Sequence, residues 1–169
     1  PVSLEACEEK IVSLTPEQAA NLHIDNPRVW WSWELGSPEL YEMNVKFETE
    51  GTVSDTENVT FGVREFDSYL NEYGYRQFTL NGKEIVIKGA GWTDDIFLRD
   101  TPESLERQVR YVMDMNMNTI RFENIWGKDD TIYDLCDRYG VIALVGWSCQ
   151  WEWENYCGLP EVPHVGCII

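Results

Sequence analysis

The segment 101–145 constrains the fold of this chain most, because it alternates twice between helical and extended patterns. Thr101 precedes Pro102 and Glu103, an order typical of the cap and first turn of a helix. Apolar residues then recur at helical spacing, at Leu105, Val109, Val112, Met113 and Met117. Residues 118–123 follow as a short apolar run that ends with two charged side chains. This part therefore predicts a helix followed by a strand.

A second helix and strand are predicted in the same order. Helical spacing begins at about Asp130, and the residues on its apolar face are Ile132, Leu135, Cys136 and Tyr139. Gly140 stands where helices often end in a left-handed residue. Residues 141–145 are continuously apolar, which is typical of a parallel strand covered on both faces. The order α-β-α-β predicts a parallel sheet, and ligands bind beyond the carboxyl ends of such strands.

Residues 1–67 have a different, antiparallel β character. Residues 41–47 alternate apolar and polar side chains and predict a half-buried strand. Residues 59–63 predict a second strand, with a polar loop at 49–58 between the two. Two more short β segments are expected, at residues 14–17 and 22–24. Together they predict a partial β-sandwich with fewer than the usual seven strands, so we expect its beginning to precede this chain.

The polar stretch 68–76 is the predicted linker to a second domain, residues 77–169. Residues 78–87 predict a hairpin, because Asn81-Gly82 favours a two-residue type I′ turn. We expect the second strand of this hairpin to run on into residues 89–92. With the two strands described above, the second domain would contain three β elements separated by two loop-helix units.

The charge balance excludes some partners. The chain has 13 Lys and Arg against 30 Asp and Glu, a formal net charge of −17, which argues against nucleic acids and anionic membranes. A cationic ligand and plain acidic solubility both stay open. No apolar run approaches the roughly 20 residues of a membrane span. The five cysteines form no CxxC or Cys/His cluster, so no metal or cofactor is expected, and Cys136 is expected to be a buried thiol.

A series of motifs resembles glycoside hydrolase family 2. The motifs of the first part are NPRVWW at 26–31, GSPELY at 36–41 and FGVR at 61–64. The motifs of the second part are LNGK at 80–83, KGAGW at 88–92 and NTIR at 118–121. Within the family, the exo-β-D-glucosaminidases are resembled most, through WTDDIFLR at 92–99, RFE at 121–123, GW at 146–147 and WE at 151–152. β-Mannosidases are the next alternative, and β-galactosidases of the family stay open.

This resemblance implies an immunoglobulin-like β-sandwich, present in part, followed by the first β/α units of a TIM (β/α)8 barrel. The implied activity is retaining hydrolysis of terminal β-linked sugars, with an oligosaccharide of the cationic chitosan type as substrate. A barrel needs about 250 residues and eight strands, and the family's catalytic carboxylates follow strands 4 and 7. Both are expected beyond Ile169, so the chain alone is predicted to be inactive. The rest of the barrel or self-association would complete it, and an extracellular or periplasmic location is implied.

Six residues are predicted to contact the sugar: Glu123, Arg121, Asp95, Trp92, Trp147 and Trp151. By resemblance, Glu123 faces the 2-amino group of glucosamine and Arg121 orients carboxylates. The alternatives are an exposed strand-end acid and a structural salt bridge. Asp95, with Asp94 as its rival, would accept hydrogen bonds from sugar hydroxyls unless it only caps a turn. Indole rings stack on the C–H faces of pyranoses, and one or two of a larger group are expected to do so, while core or interdomain packing is the alternative for each: Trp92, Trp126, Trp147, Trp151 and Trp153.

A function of another class stays open. The chain could work as a non-catalytic carbohydrate-binding or interaction module, with the sandwich as its working part. Parallel strands that end in Arg121 and Glu123 favour the enzyme, because a binding module does not need them. For the tryptophans of the first part, Trp30, Trp31 and Trp33, a role in packing is expected.

Overall fold

The computed structural model describes residues 2–124 and 130–145, with residues 123 and 124 described by their backbone only. The described strands form three separate sheets, ordered β1-β2, β3-β4-β5 and β6-β7-β8. The strands are β1 (Tyr41–Thr49), β2 (Thr52–Phe61), β3 (Phe66–Leu70), β4 (Arg76–Leu80), β5 (Lys83–Ile85), β6 (Gly89–Thr93), β7 (Thr119–Asn124) and β8 (Ile142–Val145). The helices are α1 (Pro102–Asp114), α2 (Thr131–Tyr139) and a short 3₁₀ helix (Ala20–Leu22).

β1 and β2 form a long antiparallel hairpin with a tight turn. The turn consists of Glu50 and Gly51, both with positive φ, 52° and 75°. The predicted loop at residues 49–58 is therefore wrong, since most of these residues belong to β2. Both faces of this two-stranded ribbon are exposed over most of its length, so polar side chains such as Asp55 fit a strand as well as apolar ones. The threonines and valines of β2 favour the extended backbone.

The described chain before β1 has little regular structure. Residues 14–17 and 22–24, predicted as short β segments, form no strand. Thr15 opens a turn instead, because its carbonyl accepts hydrogen bonds from the backbone N–H groups of Gln18 and Ala19 at 2.9 Å each. Pro16 occupies the turn position that its fixed φ favours. The β prediction is wrong because β propensity alone does not form a strand without a neighbour to pair with.

The hairpin predicted around Asn81-Gly82 is confirmed. Asn81 and Gly82 connect β4 to β5 with φ values of 49° and 76°, as a type I′ turn requires. The prediction that the second strand runs on into residues 89–92 is wrong. β5 ends at Ile85, and residues 86–88 lead to β6 in a different sheet.

The stretch 68–76, predicted as a linker, contains the end of β3 and the start of β4. The two strands pair antiparallel, Leu70 opposite Arg76. Their turn is closed by Asn71, whose Oδ1 accepts from the backbone N–H groups of Tyr73 and Tyr75 at 3.1 and 2.9 Å. The high content of polar and glycine residues here thus encodes a hairpin turn. The division into two domains near this point stays a prediction.

The predicted α-β-α-β order is confirmed by a parallel sheet in which α1 connects β6 to β7 and α2 connects β7 to β8. α1 begins at the predicted Thr101 cap, whose Oγ1 accepts from the Ser104 N–H at 3.2 Å while Ser104 Oγ accepts from the Thr101 N–H at 2.9 Å. α2 ends at Gly140, as predicted, with a φ of 72°. A Cβ at Gly140 would lie 2.7 Å from the backbone nitrogen of Trp33. Glycine is therefore required both by the left-handed backbone and by this close approach.

The two helices cover one face of the parallel sheet, which we call the helix face. Its buried residues include Ile120 and Phe122 of β7 together with Val109, Ile132, Leu135 and Cys136 of the helices. Burial raises the pKa of the Cys136 thiol to about 12, with the charge of Asp137 adding to it, and this confirms the predicted buried thiol. Because side chains alternate along a strand, Arg121 lies on the other face, which we call the second face.

A segment of the first part, residues 30–36, packs against the amino end of the parallel sheet. Trp30 is 2% exposed, and its Nε1 donates to the carbonyl of Asp137 in α2 at 2.7 Å. Trp33 Nε1 donates to the carbonyl of Met117, just before β7, at 3.0 Å. The expected packing role of these tryptophans is confirmed. Trp30 packs with Leu80 of β4 and Ile85 of β5 as well as with Ile142 of the parallel sheet.

Candidate functional site

The carboxyl ends of β6 and β7 meet at one edge of the parallel sheet, where the predicted site residues of both strands lie. Trp92 is near the end of β6, Asp95 follows it, and Arg121 and Glu123 lie in β7. The side chain of Glu123 is outside the described part, so its role stays a prediction. The predicted Trp147 and Trp151, and also Trp126 and Trp153, lie outside the described residues.

Arg121 is exposed on the second face of the sheet. Its partners in the parallel register are Gly91 of β6 and Leu144 of β8, and paired residues of a sheet point to the same side. Gly91, the neighbour on the β6 side, has no side chain of its own. A guanidinium in such a place can donate to carboxylates or to sugar oxygens.

Trp92 lies on the helix face instead. Its ring meets that of Phe122 edge to face, with the centroids 5.3 Å apart, and it packs against the buried cluster. Its Nε1 donates to Gln108 Oε1 of α1 at 2.6 Å. The structure therefore places Trp92 and Arg121 on opposite faces. In the described chain Trp92 serves packing, one of the alternatives left open by the sequence, and its stacking on a sugar stays a prediction.

Asp95 caps a tight turn after β6. Its Oδ2 accepts from the backbone N–H and the Nε of Arg99 at 3.2 and 3.3 Å, and its carbonyl accepts from the Leu98 N–H at 2.7 Å. Burial alone would raise the pKa of Asp95, but the hydrogen bonds and the charge of Arg99 lower it below its ordinary value. The carboxylate is thus ionised at neutral pH, and its side chain is 31% exposed. It can still accept hydrogen bonds from a ligand.

The rival acid, Asp94, directly follows β6 and is half-buried, as Asp95 is. Burial is the main cause of the raised pKa of Tyr133 in α2, and the charge of Asp94 is among the groups that raise it further. Asp94 thus acts electrostatically on Tyr133 of α2, whereas Asp95 closes an exposed turn. Which of the two acids a ligand reaches stays a prediction.

Sequence reasoning missed Asp100 and Gln108, which connect this edge to α1. Asp100 Oδ2 accepts from the Asp95 N–H at 2.9 Å. Asp100 Oδ1 accepts from Gln108 Nε2 at 3.0 Å and from Ser104 Oγ at 2.9 Å. A signal for this network was present, because Asp100, Ser104 and Gln108 are spaced by four residues and share one side of the helix.

Other chemistry in the described residues is limited. They contain no group of three or more His, Cys, Asp or Glu residues that could hold a metal ion. None of their helices has the length and apolar character needed to cross a membrane. A cavity of about 130 Å³ lies between Trp30, Arg64 and β8, but the Arg64 guanidinium there is already paired with Asp137 at 2.9 Å.

Known proteins resemble this chain in sequence and in structure. Residues 3–64 match the family model described as Glycosyl hydrolases family 2. The chain is 42% identical over 154 residues to the exo-beta-D-glucosaminidase of Streptomyces avermitilis, covering 91% of this chain and 17% of that protein. It is 32% identical over 124 residues to the beta-mannosidase of Capra hircus, covering 67% of this chain and 14% of that protein.

The fold is also found in a solved relative, the exo-chitosanase of Amycolatopsis orientalis. Its crystal structure matches with a TM-score of 0.71 and 34% sequence identity, covering 83% of this chain and 17% of that one. A variant of the same exo-chitosanase has been solved as a complex with PNP-beta-D-glucosamine.

The fold and the sequence relate this chain to one part of the glycosidases that it matches. The chain belongs to glycosyl hydrolase family 2. The predicted family is thus confirmed, together with the likeness to exo-β-D-glucosaminidases first and β-mannosidases next. The chain spans about 17% of the length of the exo-β-D-glucosaminidase from Streptomyces avermitilis, so it corresponds to one segment of such an enzyme.

Proposed function

We propose that this chain is a segment of an exo-acting β-D-glucosaminidase, in which it forms part of the wall around the terminal sugar. The observation that carries the proposal is the 42% identity to the exo-beta-D-glucosaminidase of Streptomyces avermitilis across 91% of this chain. The proposed substrate class is a cationic oligosaccharide with a terminal β-linked glucosamine. The net charge of −17 agrees with this class, because a negative surface attracts a polycation.

We further propose that residues 1–67 are part of an immunoglobulin-like sandwich and that residues 77–169 begin a (β/α)8 barrel. The β1–β2 hairpin supports the first part, since Val45, Phe47 and Val53 are 46%, 54% and 46% exposed and an opposing sheet would cover such side chains. The parallel sheet with both connecting helices on one face supports the second part, because strand-helix units of this kind repeat around a barrel.

In this arrangement the second face of the parallel sheet lines the interior of the barrel. Arg121 then orients carboxylates supplied by other parts of the enzyme, and Asp95 accepts hydrogen bonds from sugar hydroxyls. Glu123 holds the 2-ammonium group by a charge-assisted hydrogen bond. The acid/base and the nucleophile lie outside this chain, so its own residues bind and orient the sugar and do not cleave the bond.

A β-mannosidase is the second candidate, and the 32% identity to the beta-mannosidase of Capra hircus favours it. The two candidates differ in the sugar's C2 substituent. A mannoside presents a neutral hydroxyl, which a carboxylate binds less strongly than an ammonium group. Glu123 would then support the catalytic centre and would not determine the sugar specificity.

The test is a hybrid enzyme in which this chain replaces the matching segment of the Streptomyces avermitilis enzyme. We expect the hybrid to cleave p-nitrophenyl β-D-glucosaminide and to prefer it to the corresponding β-D-mannoside. The unmodified parent enzyme is the control, and thermal unfolding checks that the hybrid is folded. A folded hybrid that prefers the mannoside would replace the first candidate by the second. A folded hybrid without either activity would contradict both.

A further inference from the structure

A continuous series of hydrogen bonds ties the loop after β6 to the helix α1. Trp92 Nε1 donates to Gln108 Oε1 at 2.6 Å, and Gln108 Nε2 donates to Asp100 Oδ1 at 3.0 Å. The other oxygen of Asp100 accepts the Asp95 N–H at 2.9 Å. The series therefore begins at Trp92 of β6, continues through Gln108 of α1 and Asp100, and ends at the turn that carries the Asp95 carboxylate.

The chemistry of the end groups fixes the direction of this series. An indole N–H only donates, and an ionised carboxylate only accepts. The Gln108 amide must therefore present its oxygen to Trp92 and its NH₂ group to Asp100, since the reversed amide would set donor against donor. Asp100 and Gln108 are both half-buried, so water competes for these bonds only in part.

The turn itself is largely exposed in the part of the chain that the structure describes. Ile96 and Phe97 within it are 87% and 70% exposed, so apolar burial contributes little to its position. Arg99 stacks over the Phe97 ring, 4.7 Å from its centroid, but this contact lies within the turn itself. Among the described residues, the Asp100 carboxylate links the backbone of this turn to α1.

We propose that Asp100 and Gln108 are positioning residues that hold the Asp95 turn at the carboxyl end of β6. Gln108 orients the carboxylate of Asp100, and this carboxylate fixes the position of the Asp95 backbone N–H. The inference rests on the proposed function only where it concerns sugar binding. In that case, loosening the turn moves a group that binds the sugar, while the catalytic pair stays in place.

Each of two substitutions breaks the series when made alone, and the two together restore it. Gln108→Glu places a second carboxylate against Asp100. Asp100→Asn sets the new amide NH₂ against either the Gln108 NH₂ or the Asp95 N–H, whichever way it turns. In the double variant, the new amide donates to the new carboxylate, which still accepts from Trp92, and the total charge is that of the wild type.

The first measurement uses the 169-residue chain and follows hydrogen exchange of the Trp92 indole and the Asp95 amide by NMR, with Trp92→Phe to assign the indole. We expect the Asp95 amide to exchange about tenfold faster in Gln108→Glu, because the displaced Asp100 carboxylate no longer accepts from it. In Asp100→Asn we expect either the Asp95 amide or the Trp92 indole to exchange faster by a similar factor, and in the double variant we expect both to recover. The Trp33 indole, bonded to Met117, is the internal control and should not change.

The second measurement uses the hybrid enzyme. We expect the single variants to raise KM for the aryl glucosaminide about three- to tenfold, to change kcat little, and to recover KM in the double variant. Arg107→Gln, at the exposed position beside Gln108, is the matched control. A double variant no better than the single ones, or an Asp95 amide signal unchanged by Gln108→Glu, would overturn the positioning role. An inactive wild-type hybrid would count against the proposed function alone, and hydrogen exchange would then decide the positioning role.

Discussion

Asn118 Nδ2 donates a hydrogen bond to Glu34 Oε1 at 2.5 Å, across a separation of 84 residues. The same nitrogen donates to the Val86 carbonyl at 2.8 Å, and Asn118 Oδ1 accepts from the Lys88 N–H and from Thr119 Oγ1 at 2.9 Å each. The other oxygen of Glu34 pairs with Lys88 Nζ at 2.6 Å. The starts of β6 and β7 and the segment 30–36 thus meet in one polar junction.

The first prediction concerns the stability that this junction provides. Asn118 is fully buried, so Asn118→Ala would leave buried donors and acceptors without partners. We expect a loss of about 2–4 kcal/mol in the free energy of unfolding, measured by urea denaturation. The exposed pair Asn44 and Asn58 offers a control, because Asn44→Ala should cost at most about 0.5 kcal/mol. Equal costs for both variants would mean that the junction contributes nothing specific.

The second prediction is a pH dependence at Glu34. Burial would raise the pKa of Glu34, but hydrogen bonds from Lys88 and Asn118 and the Lys88 charge lower it below its ordinary value of 4.5. A depressed pKa in the folded state stabilises the fold above the ordinary value, and this contribution is lost as the pH falls through the lowered pKa. We expect the stability difference between wild type and Glu34→Gln to be constant from about pH 7 to 5.5 and to shrink below about pH 4.5. The exposed Glu42→Gln should show no such change, and a pH-independent Glu34→Gln difference would contradict the prediction.

The third prediction separates two reasons for a glycine at position 140. Gly140 and Gly74 both have positive φ, 72° and 78°, but only Gly140 has a backbone atom, Trp33 N, within 2.7 Å of a Cβ. Gly74→Ala should cost about 1–2 kcal/mol, the cost of the left-handed backbone alone. We expect Gly140→Ala to cost about 1–3 kcal/mol more, measured as the shift in the midpoint of unfolding. Similar costs for the two variants would show that the backbone at Trp33 moves away from the added methyl group without loss of stability.

The fourth prediction is that the purified chain alone does not hydrolyse aryl β-D-glucosaminides. Retaining hydrolysis needs a general acid/base and a nucleophilic carboxylate about 5 Å apart, and by resemblance to the family both belong to other parts of the enzyme. The assay compares release of p-nitrophenol with a buffer blank and with the heat-denatured chain. Turnover above both blanks that disappears on changing a residue of this chain would refute the prediction.

The fifth prediction concerns sugar choice in the hybrid enzyme. Glu123→Gln should lower kcat/KM for the glucosaminide about ten- to a hundredfold, because a charge-assisted hydrogen bond contributes about 1.5–3 kcal/mol and each 1.36 kcal/mol is tenfold in rate. A neutral glucoside or mannoside should be affected little. The Glu103→Gln variant, on the exposed first turn of α1, is the control. Equal losses on aminated and neutral sugars would make Glu123 a support for the catalytic centre and would favour the mannosidase.

The sequence predicted the parallel sheet well because its signals are local. The cap at Thr101, the apolar face of α2 and the glycine at 140 each act within a few residues, and the structure has all three where they were expected. The end of β2, residues 59–61, lies within the predicted second strand, but residues 52–58 were missed because they carry no alternation of apolar and polar side chains. Its polar residues resemble a loop until the pairing partner is known.

The candidate site was predictable only in part. The sequence indicated that Asp95 and Arg121 lie near the carboxyl ends of two adjacent strands, and the structure brings them to that edge. It could not tell on which face of the sheet Trp92 lies, because this depends on the register with Phe122 and on the contact with Gln108. Asp100 was missed for a similar reason. Its hydrogen bonds to Gln108 and to the Asp95 N–H depend on how α1 packs against β6.

The segment 30–36 couples the unfolding of the first part of this chain to that of the α/β unit. Trp30 and Trp33 come early in the sequence, yet their indole N–H groups are satisfied by carbonyls of Asp137 and Met117. If the part before residue 68 or the α/β unit unfolded alone, the other would keep a cavity without its indole ring or a polar group without its hydrogen bond. We therefore expect the two parts to unfold in a single cooperative transition. A protease that cuts only within 68–76 would therefore nick the chain without releasing an independently folded piece. We therefore expect the folding unit to cross the boundary that composition indicates.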